Sequence, residues 1–285
     1  MVELSRDLIE ILDFYSGDLK RYTIEKLREL GLRPSKKRGQ NFTISIRILE
    51  DITSAVSRLG CGNVIEVGSG LGVLTLQLNS VCRKIYSIEI DKRLCRYLEE
   101  LFRSRDNIEF ICGDALEYID KLDAEGLFAT PPYSITGPLL GKLASSRIKW
   151  AVMILQRDVV ERLAAKPGEE NYGSVTVLVR TYFDIEIGRV YKPHLFYPRP
   201  EVDSRLVILK RYRDKLCFHE ELEKSLKCMF SQRNKLVYKV ARECLSIELS
   251  EKIYREKRVD EIPPEDFLRI LSTIYSCSEN IPRSL

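Results

Sequence analysis

Five short apolar segments narrow most sharply what this chain can fold into. They are "NVIEV", "KIYSIEI", "NIEFIC", "GLFAT" and "KWAVMIL", all between residues 63 and 155. Each is rich in β-branched or aromatic residues, bounded by polar or turn residues, and reads as a strand buried on both faces. Between them lie "GVLTLQLNSV", "KRLCRYLEELF" and "TGPLLGKLASS", which read as helices. Strands alternating with helices predict an α/β fold, a mostly parallel sheet covered on both sides. "SVTVLVRTYFDIEIGRV" and "RLVILKRY" read as late strands that could form an antiparallel edge. Ahead of the sheet, "RDLIEILDFY", "YTIEKLREL" and "ISIRILEDITSAVSRL" read as amphipathic helices. From about Lys215 the strands cease, and "FHEELEKSLKCMFSQ", "KLVYKVAREC", "ELSEKIYREK" and "PPEDFLRILSTIYS" read as a small all-helical domain. The expected division is a helical extension over 1–32, the α/β domain over 33–210 and the helical domain over 211–285.

A chain of 285 residues has room for one large or two moderate hydrophobic cores. It holds no apolar run long enough to span a bilayer, and its start, "MVELSRDLIE", is too charged for a secretory signal. A cytoplasmic protein without a membrane partner is expected. The eight cysteines form no C-x-x-C pair and there are only two histidines. No metal site is expected, and reduced, structural thiols are favoured over disulfides unless the source is a hyperthermophile. Charge is uneven. Residues 205–258 carry fifteen Lys/Arg against eight Asp/Glu, a local +7 in a chain of net +4. "RPSKKR" is a second basic cluster. Such asymmetry points to a polyanionic partner, with a solvated helical surface as the plain alternative.

Chemistry concentrates at strand ends. "EVGSGLG" (residues 66–72) follows the first strand and opens a helix, so its glycines allow a tight turn and close approach of a ligand. It lacks the G-K-[ST] ending of a phosphate loop, and the acid before its glycines departs from the dinucleotide fingerprint. Glu89 ends the second strand, where a carboxylate can accept both hydroxyls of a ribose. Asp91, two residues on, reads as a helix cap. Asp114 in "CGDAL" follows the third strand and can accept from an adenine amino group. Standing alone, Glu89 would be an exposed strand-end acid and Asp114 a turn or cap residue. Together with the glycine loop they lie where open α/β sheets bind ligands. The set resembles class I methyltransferases that use S-adenosylmethionine, a cofactor with one adenine, one ribose and no pyrophosphate.

"TPPY" (residues 130–133) ends the fourth strand and resembles the [Asp/Asn/Ser]-Pro-Pro-[Tyr/Phe] motif of amino-group methyltransferases. An adenine amino nitrogen is a poor nucleophile because its lone pair delocalises into the ring. Two acceptors, Thr130 Oγ1 and the Pro131 carbonyl, can bind its hydrogens and favour a pyramidal nitrogen. Tyr133 can stack on the base and its π face can favour developing positive charge. The prolines pre-set the corner, so orientation carries much of the catalysis.

Longer stretches refine the resemblance. "GQNFTIS", "LQRDVVERLAAKPGEENYGSVTVLVR", "HLFYPRPEVDSRLV", "FSQRNKL" and "PPEDFLRI" resemble the small-subunit ribosomal RNA adenine-N6,N6-dimethyltransferase family, and "GLRPSKKRGQNF" looks more archaeal than bacterial. The likeness runs from about Gly31 to Asp266. It implies S-adenosylmethionine as cofactor and methylation of N6 on two adjacent adenosines near the 3′ end of small-subunit RNA, with small-subunit RNA or its precursor particle as partner. It implies that Gln40, Asn41 and Thr43 close over the cofactor. Gly68 and Gly70 would line its methionine side, Glu89 would hold the ribose and Asp114 the adenine. Thr130 would serve cofactor and base alike, with Pro131 and Tyr133 receiving the target base and Phe196 stacking on its other face. Lys36, Lys37, Arg38, Arg233 and Lys235 would grip RNA phosphates. Transfer would be direct and in line, with the target base unstacked from its neighbours, and a monomer would suffice.

One departure stands out. The family usually has Asn-Leu-Pro-Tyr where this chain has Thr130-Pro131-Pro132-Tyr133. A hydroxyl accepts a hydrogen bond as an amide oxygen does, but threonine is shorter. A misplaced bond of this kind costs about 0.5–1.5 kcal/mol, up to roughly tenfold in rate. The substitution motivates a rival reading, an RNA-binding assembly factor with weakened catalysis. The P-P-Y corner motivates a second rival, a DNA adenine-N6 methyltransferase, against which the ribosomal-family stretches speak.

Overall fold

The computed structural model describes residues 4–35, 39–249 and 251–275. Helices α1 (Arg6–Asp13) and α2 (Leu19–Glu29) come first. Then follow β1 (Phe42–Thr43), α3 (Ile46–Leu59), β2 (Asn63–Val67), α4 (Val73–Asn79), β3 (Lys84–Glu89), α5 (Lys92–Phe102), β4 (Ile108–Cys112), α6 (Ala115–Tyr118), β5 (Gly126–Ala129), α7 (Thr136–Ser145), β6 (Trp150–Gln156) and α8 (Arg157–Ala164). The remainder is α9 (Ser174–Tyr182), β7 (Phe183–Tyr191), β8 (Phe196–Tyr197), β9 (Ser204–Arg211), α10 (His219–Phe230), α11 (Val237–Leu245), α12 (Lys252–Glu256) and α13 (Pro264–Ser272).

The five expected strands, β2 to β6, lie in one seven-stranded sheet of order β4-β3-β2-β5-β6-β9-β7. β4 through β6 run parallel, and β9 adds antiparallel to β6. The sheet is therefore mostly parallel with an antiparallel edge region, as the α/β reading requires. Residues such as Val64, Ile65, Ile85, Leu127, Phe128 and Val152 are fully buried, which explains the near-continuous apolar runs of the central strands. Chain order reverses direction at β2, so β3 and β4 lie on one side and β5 and β6 on the other. A crevice at the carboxyl ends of the strands is expected at that switch point.

"SVTVLVRTYFDIEIGRV" was expected to be strand throughout. Its first half is helix α9, and only the second half is strand β7. The β-branched residues are overridden by burial, for Thr176, Val177, Val179 and Thr181 all pack inside, against α10 and α13. Thr181 also returns its hydroxyl to the Val177 carbonyl at 2.9 Å.

The chain divides into two compact units, one of residues 1–160 with 185–211 and one of 161–184 with 212–285. The single change-over expected at 210 becomes three, because α9 joins the C-terminal helices. The first 32 residues, set apart in sequence as an extension, belong to the α/β unit. Leu8, Leu12, Leu19, Tyr22 and Leu27 enter its core beside Leu71, Leu74, Leu78 and Leu98. Each leucine buried this way contributes roughly 2 kcal/mol. In the helical unit, Phe230 lies between Tyr172 and Phe267, with ring centroids 5.9 and 5.4 Å away.

The expectation of reduced thiols is overturned. Disulfides join Cys61 to Cys82, Cys95 to Cys112 and Cys228 to Cys244, with Cα separations of 4.4, 5.6 and 5.9 Å. Cys217 is also disulfide-bonded, and among the described residues no cysteine is free. The partners are 16 to 21 residues apart in sequence and are brought together by packing: β2 beside β3, α5 on β4, and α10 on α11. Cys61 and Cys82 precede the adjacent strands β2 and β3, and Cys112 pairs in register with Glu89. Spacing rules for metal-type cysteine pairs are blind to such contacts.

Candidate active site

At the carboxyl ends of the strands lies a cavity of about 970 Å³. Its size suits a nucleoside-type ligand, for which pockets of a few hundred to a thousand Å³ are usual. Eight of the expected cofactor residues line it together: Gln40, Asn41, Thr43, Gly68, Gly70, Glu89, Asp114 and Thr130.

Glu89 is the hub. It ends β3, is only 6% exposed, and accepts from the Gly70 amide on Oε2 and the Asp91 amide on Oε1, both at 2.9 Å. Its carbonyl accepts from the Gly113 amide at 2.9 Å. The same residue thus ties together the glycine loop, the start of α5 and the end of β4. Burial raises its carboxyl above the ordinary range, opposed by the backbone amides of Asp91, Gly70 and Ile90. Each oxygen keeps a second lone pair, the donor-free arrangement that a vicinal diol would satisfy.

Asp114 meets both of its readings. Its Oδ1 caps α6 by accepting from the Leu116 amide at 3.0 Å, and the residue also lines the cavity. Asp91 is the helix cap expected, accepting from the Arg93 amide at 3.2 Å. The Arg93 guanidinium, 2.7 Å away, holds its carboxyl far below the usual range. Gln40 donates to Asp91 Oδ2 at 3.1 Å and accepts from the Ser35 amide at 3.0 Å, which fixes the loop to the mouth of the cavity.

Two glycines are required by close approach. Gly39 has φ +63°, and a Cβ there would lie 3.1 Å from the Tyr133 nitrogen and 3.2 Å from Pro132 Cβ. Gly70 has φ +59°, and a Cβ would meet the Phe42 ring at 3.3 Å. The loop before β1 is thereby seated on the "TPPY" corner, and Phe42 is seated on the glycine loop.

Glu66, the acid before the glycines, is 2% exposed and lies on the cavity. It accepts from Thr75 Oγ1, and from Ser87 Oγ at 3.0 Å. Burial pushes its carboxyl up to about 7, with the two hydroxyls opposing.

The corner itself is divided. Thr130 lines the cavity, and so do Pro132 and Ser134. Pro131, expected to present its carbonyl, is buried and does not line it. Tyr133 is half-buried, with its hydroxyl 3.2 Å from Ser204 Oγ, and is likewise absent from the lining. Phe196 is 3% exposed in the core cluster, paired through β8 with Thr43 of β1. As placed, it is a core aromatic supporting Thr43 rather than an open stacking face.

Of the expected RNA contacts, Lys36, Lys37 and Arg38 lie outside the described residues. Arg233 is committed within its own unit, donating to the Glu170 carbonyl at 2.7 Å, the Glu169 carbonyl at 3.2 Å and Asp260 Oδ2 at 3.2 Å. It holds the 169–170 turn and is not free to meet a phosphate in this arrangement, which corrects the sequence reading. Lys235 is exposed, and its ammonium donates to Gln232 Oε1 at 2.6 Å. Sequence reasoning missed Thr23, Phe42, Ile90 and Ser134 as lining residues. Of these, only Phe42 stood inside a motif singled out for the site, "GQNFTIS".

A family model described as ribosomal RNA adenine dimethylase matches residues 32–275. The chain belongs to that family. It is accordingly an S-adenosylmethionine-dependent methyltransferase. Among relatives of this dimethylase-family chain, the probable ribosomal RNA small subunit methyltransferase A of Pyrobaculum islandicum is 38% identical over 217 residues, 76% of this chain and 86% of its own. The ribosomal RNA small subunit methyltransferase A of Thermotoga maritima is 32% identical over 267 residues, 94% of each chain. A solved dimethyladenosine transferase from Plasmodium falciparum aligns with a TM-score of 0.68 at 24% identity, covering 81% of this chain and 96% of that one. At that identity the likeness speaks for the fold.

Proposed function

We propose that this protein methylates N6 of two adjacent adenosines near the 3′ end of small-subunit ribosomal RNA, during assembly of the particle in the cytoplasm. One observation carries the reading: the "TPPY" corner, through Thr130 and Pro132, walls the same cavity as the strand-end acids Glu89 and Asp114. S-adenosylmethionine, when bound, supplies an electrophilic sulfonium methyl. The cavity fits it: Glu89 offers two oxygens for a ribose diol, Asp114 an acceptor for an adenine amine, and Gly68 and Gly70 a backbone surface with no side chain in the way. Phe42 and Gln40 cover the loop side and hold water away from it. Thr130 Oγ1 makes no hydrogen bond within the described protein and serves as the acceptor that orients the target amine. No residue is needed as a dedicated base, because a methylated amino cation loses its proton readily to solvent. Tyr133 and Phe196 act from behind this surface, the first anchored to Ser204 and the second under Thr43.

Methyl transfer to unmodified small ribosomal subunits, with nucleosides resolved by mass spectrometry, tests this directly. Two adjacent N6,N6-dimethyladenosines near the 3′ end are expected. Subunits that stay unmethylated at adenine, although the protein binds S-adenosylmethionine, would favour the assembly-factor reading that Thr130 motivates. In the same assay Thr130→Asn is expected to raise the single-turnover rate about tenfold by restoring the longer amide acceptor.

RNA is held in part by α11. Lys239 and Arg242 share its exposed side and Lys235 stands just before its first turn, while Lys239 and Arg242 have no acidic partner within the described protein. Val237 donates to the Lys257 carbonyl at 3.0 Å, which brings the basic 257–258 stretch alongside. Replacing Lys235, Lys239 and Arg242 together with alanine is expected to flatten the salt dependence of RNA binding by about two units in the log–log slope. Cofactor affinity should not change. An unaltered slope would remove α11 from the interface.

A further inference from the structure

The two N-terminal helices precede the stretch that matches the family, yet the second of them reaches the cavity. We infer that α2 is a positioning element of the S-adenosylmethionine site, acting on the glycine loop through Tyr22 and forming part of the cavity wall through Thr23. The inference rests on the reading of this cavity as the cofactor site.

The contacts are specific. Tyr22 is 1% exposed, and its hydroxyl lies 3.4 Å from the Leu71 carbonyl and 2.7 Å from the Tyr97 hydroxyl. Leu71 is the residue between Gly70 and Gly72, so the contact falls inside the loop whose Gly70 amide is held by Glu89 on its other side. Thr23, the next residue, is 1% exposed and lines the cavity, with its hydroxyl returned to the Leu19 carbonyl at 2.8 Å. α1 holds the helix that follows the loop. Ser5 donates its amide to Gln77 Oε1 at 2.9 Å and its hydroxyl to the Leu76 carbonyl at 2.8 Å, both on α4. Asp7 accepts from Asn79 at 2.7 Å and from Arg105 at 3.2 Å. The glycine loop is thus gripped from two sides. Glu89 holds Gly70 from the sheet, and Tyr22 holds Leu71 from the extension. A loop of glycines has many backbone conformations to lose on binding, and each fixed point lowers that loss.

Deleting the extension would strip apolar core residues and unfold the unit, so the test is a single hydroxyl. In the full chain, Tyr22→Phe keeps the ring in place and removes only the contact to Leu71 and Tyr97. Calorimetric affinity for S-adenosylmethionine and S-adenosylhomocysteine is expected to fall about three- to tenfold, the size of one lost buried hydrogen bond. KM for the cofactor should rise in step, with kcat and the KM for RNA unchanged. Tyr97→Phe, which leaves the Tyr22–Leu71 contact, and Asp7→Asn, remote from the loop, should bind the cofactor as wild type does. Equal loss in all three variants would show general loosening of the fold and overturn a positioning role for Tyr22. Unchanged affinity in Tyr22→Phe, with wild type binding normally, would also overturn it. A wild-type protein that does not bind the cofactor at all would instead refute the reading of the cavity.

Discussion

Glu89→Ala is expected to lower affinity for S-adenosylmethionine by at least two orders of magnitude. A carboxylate that accepts two ribose hydroxyls makes two charge-assisted bonds, each worth about 1.5–3 kcal/mol. Their loss corresponds to roughly a hundredfold or more in Kd. The effect has a second source in the free protein. Gly70 and Asp91 each donate an amide to this side chain at 2.9 Å, so the alanine variant leaves two donors unpaired and the glycine loop less fixed. Glu89→Gln keeps one acceptor oxygen but turns an amide donor toward one of those N–H groups. It should fall between wild type and alanine. Titration calorimetry decides the matter: an alanine variant binding within threefold of wild type would exclude Glu89 from ribose recognition.

Glu66→Gln should change how stability depends on pH, by about 3 kcal/mol between acid and mildly basic solution. The Glu66 carboxyl is raised from an ordinary 4.5 to about 7, chiefly by burial. The folded state therefore holds its proton more tightly than the unfolded chain does. Its contribution to stability is complete below about pH 4.5 and disappears as pH rises through about 7. Glutamine has no such dependence and offers Thr75 and Ser87 an acceptor oxygen. Chemical denaturation of both proteins should show the variant gaining on wild type from pH 5 to pH 8. A difference that stays flat across this range would mean that Glu66 is ionised throughout.

The fold and many of the residues that line the cavity were legible because their signals are local. A parallel strand buried on both faces announces itself as a short apolar run, and each strand-end acid or glycine lies within a few residues of its strand. Of the eight cavity residues named from sequence, Gly68, Gly70, Glu89, Asp114 and Thr130 carry such a signal, while Gln40, Asn41 and Thr43 came from the family resemblance of "GQNFTIS". What escaped depends on distant parts of the chain. Residues 174–182 have the composition of a strand, and only their packing on α10 and α13 makes them helix. Cys95 and Cys112 meet because α5 packs on β4, which their separation of 17 residues does not reveal. Thr23 reaches the cavity across some fifty residues of sequence, as Tyr22 reaches Leu71. Arg233 read as a phosphate ligand because it is basic in a basic domain, and its carbonyl partners come from a turn 63 residues earlier. Phe196 and Pro131 stand in motifs of the right pattern, but their exposure is a property of the folded surface.

Pro132 touches both halves of the chemistry. One face of its ring meets Gly39, where a Cβ would stand 3.2 Å away, and its Cδ faces Gly68, where one would stand at 3.9 Å. The ring is a shared partition between the loop that covers the cavity, the glycine turn and the corner that bears Thr130. A partition of this kind makes occupancy on one side a matter of concern to the other. Any displacement of the proline that favours the methyl donor alters the energy of seating the acceptor, and thermodynamic linkage requires the reverse effect to be equal. On the reading of the cavity proposed above, substitution of Pro132 is expected to change the affinities for methyl donor and acceptor together.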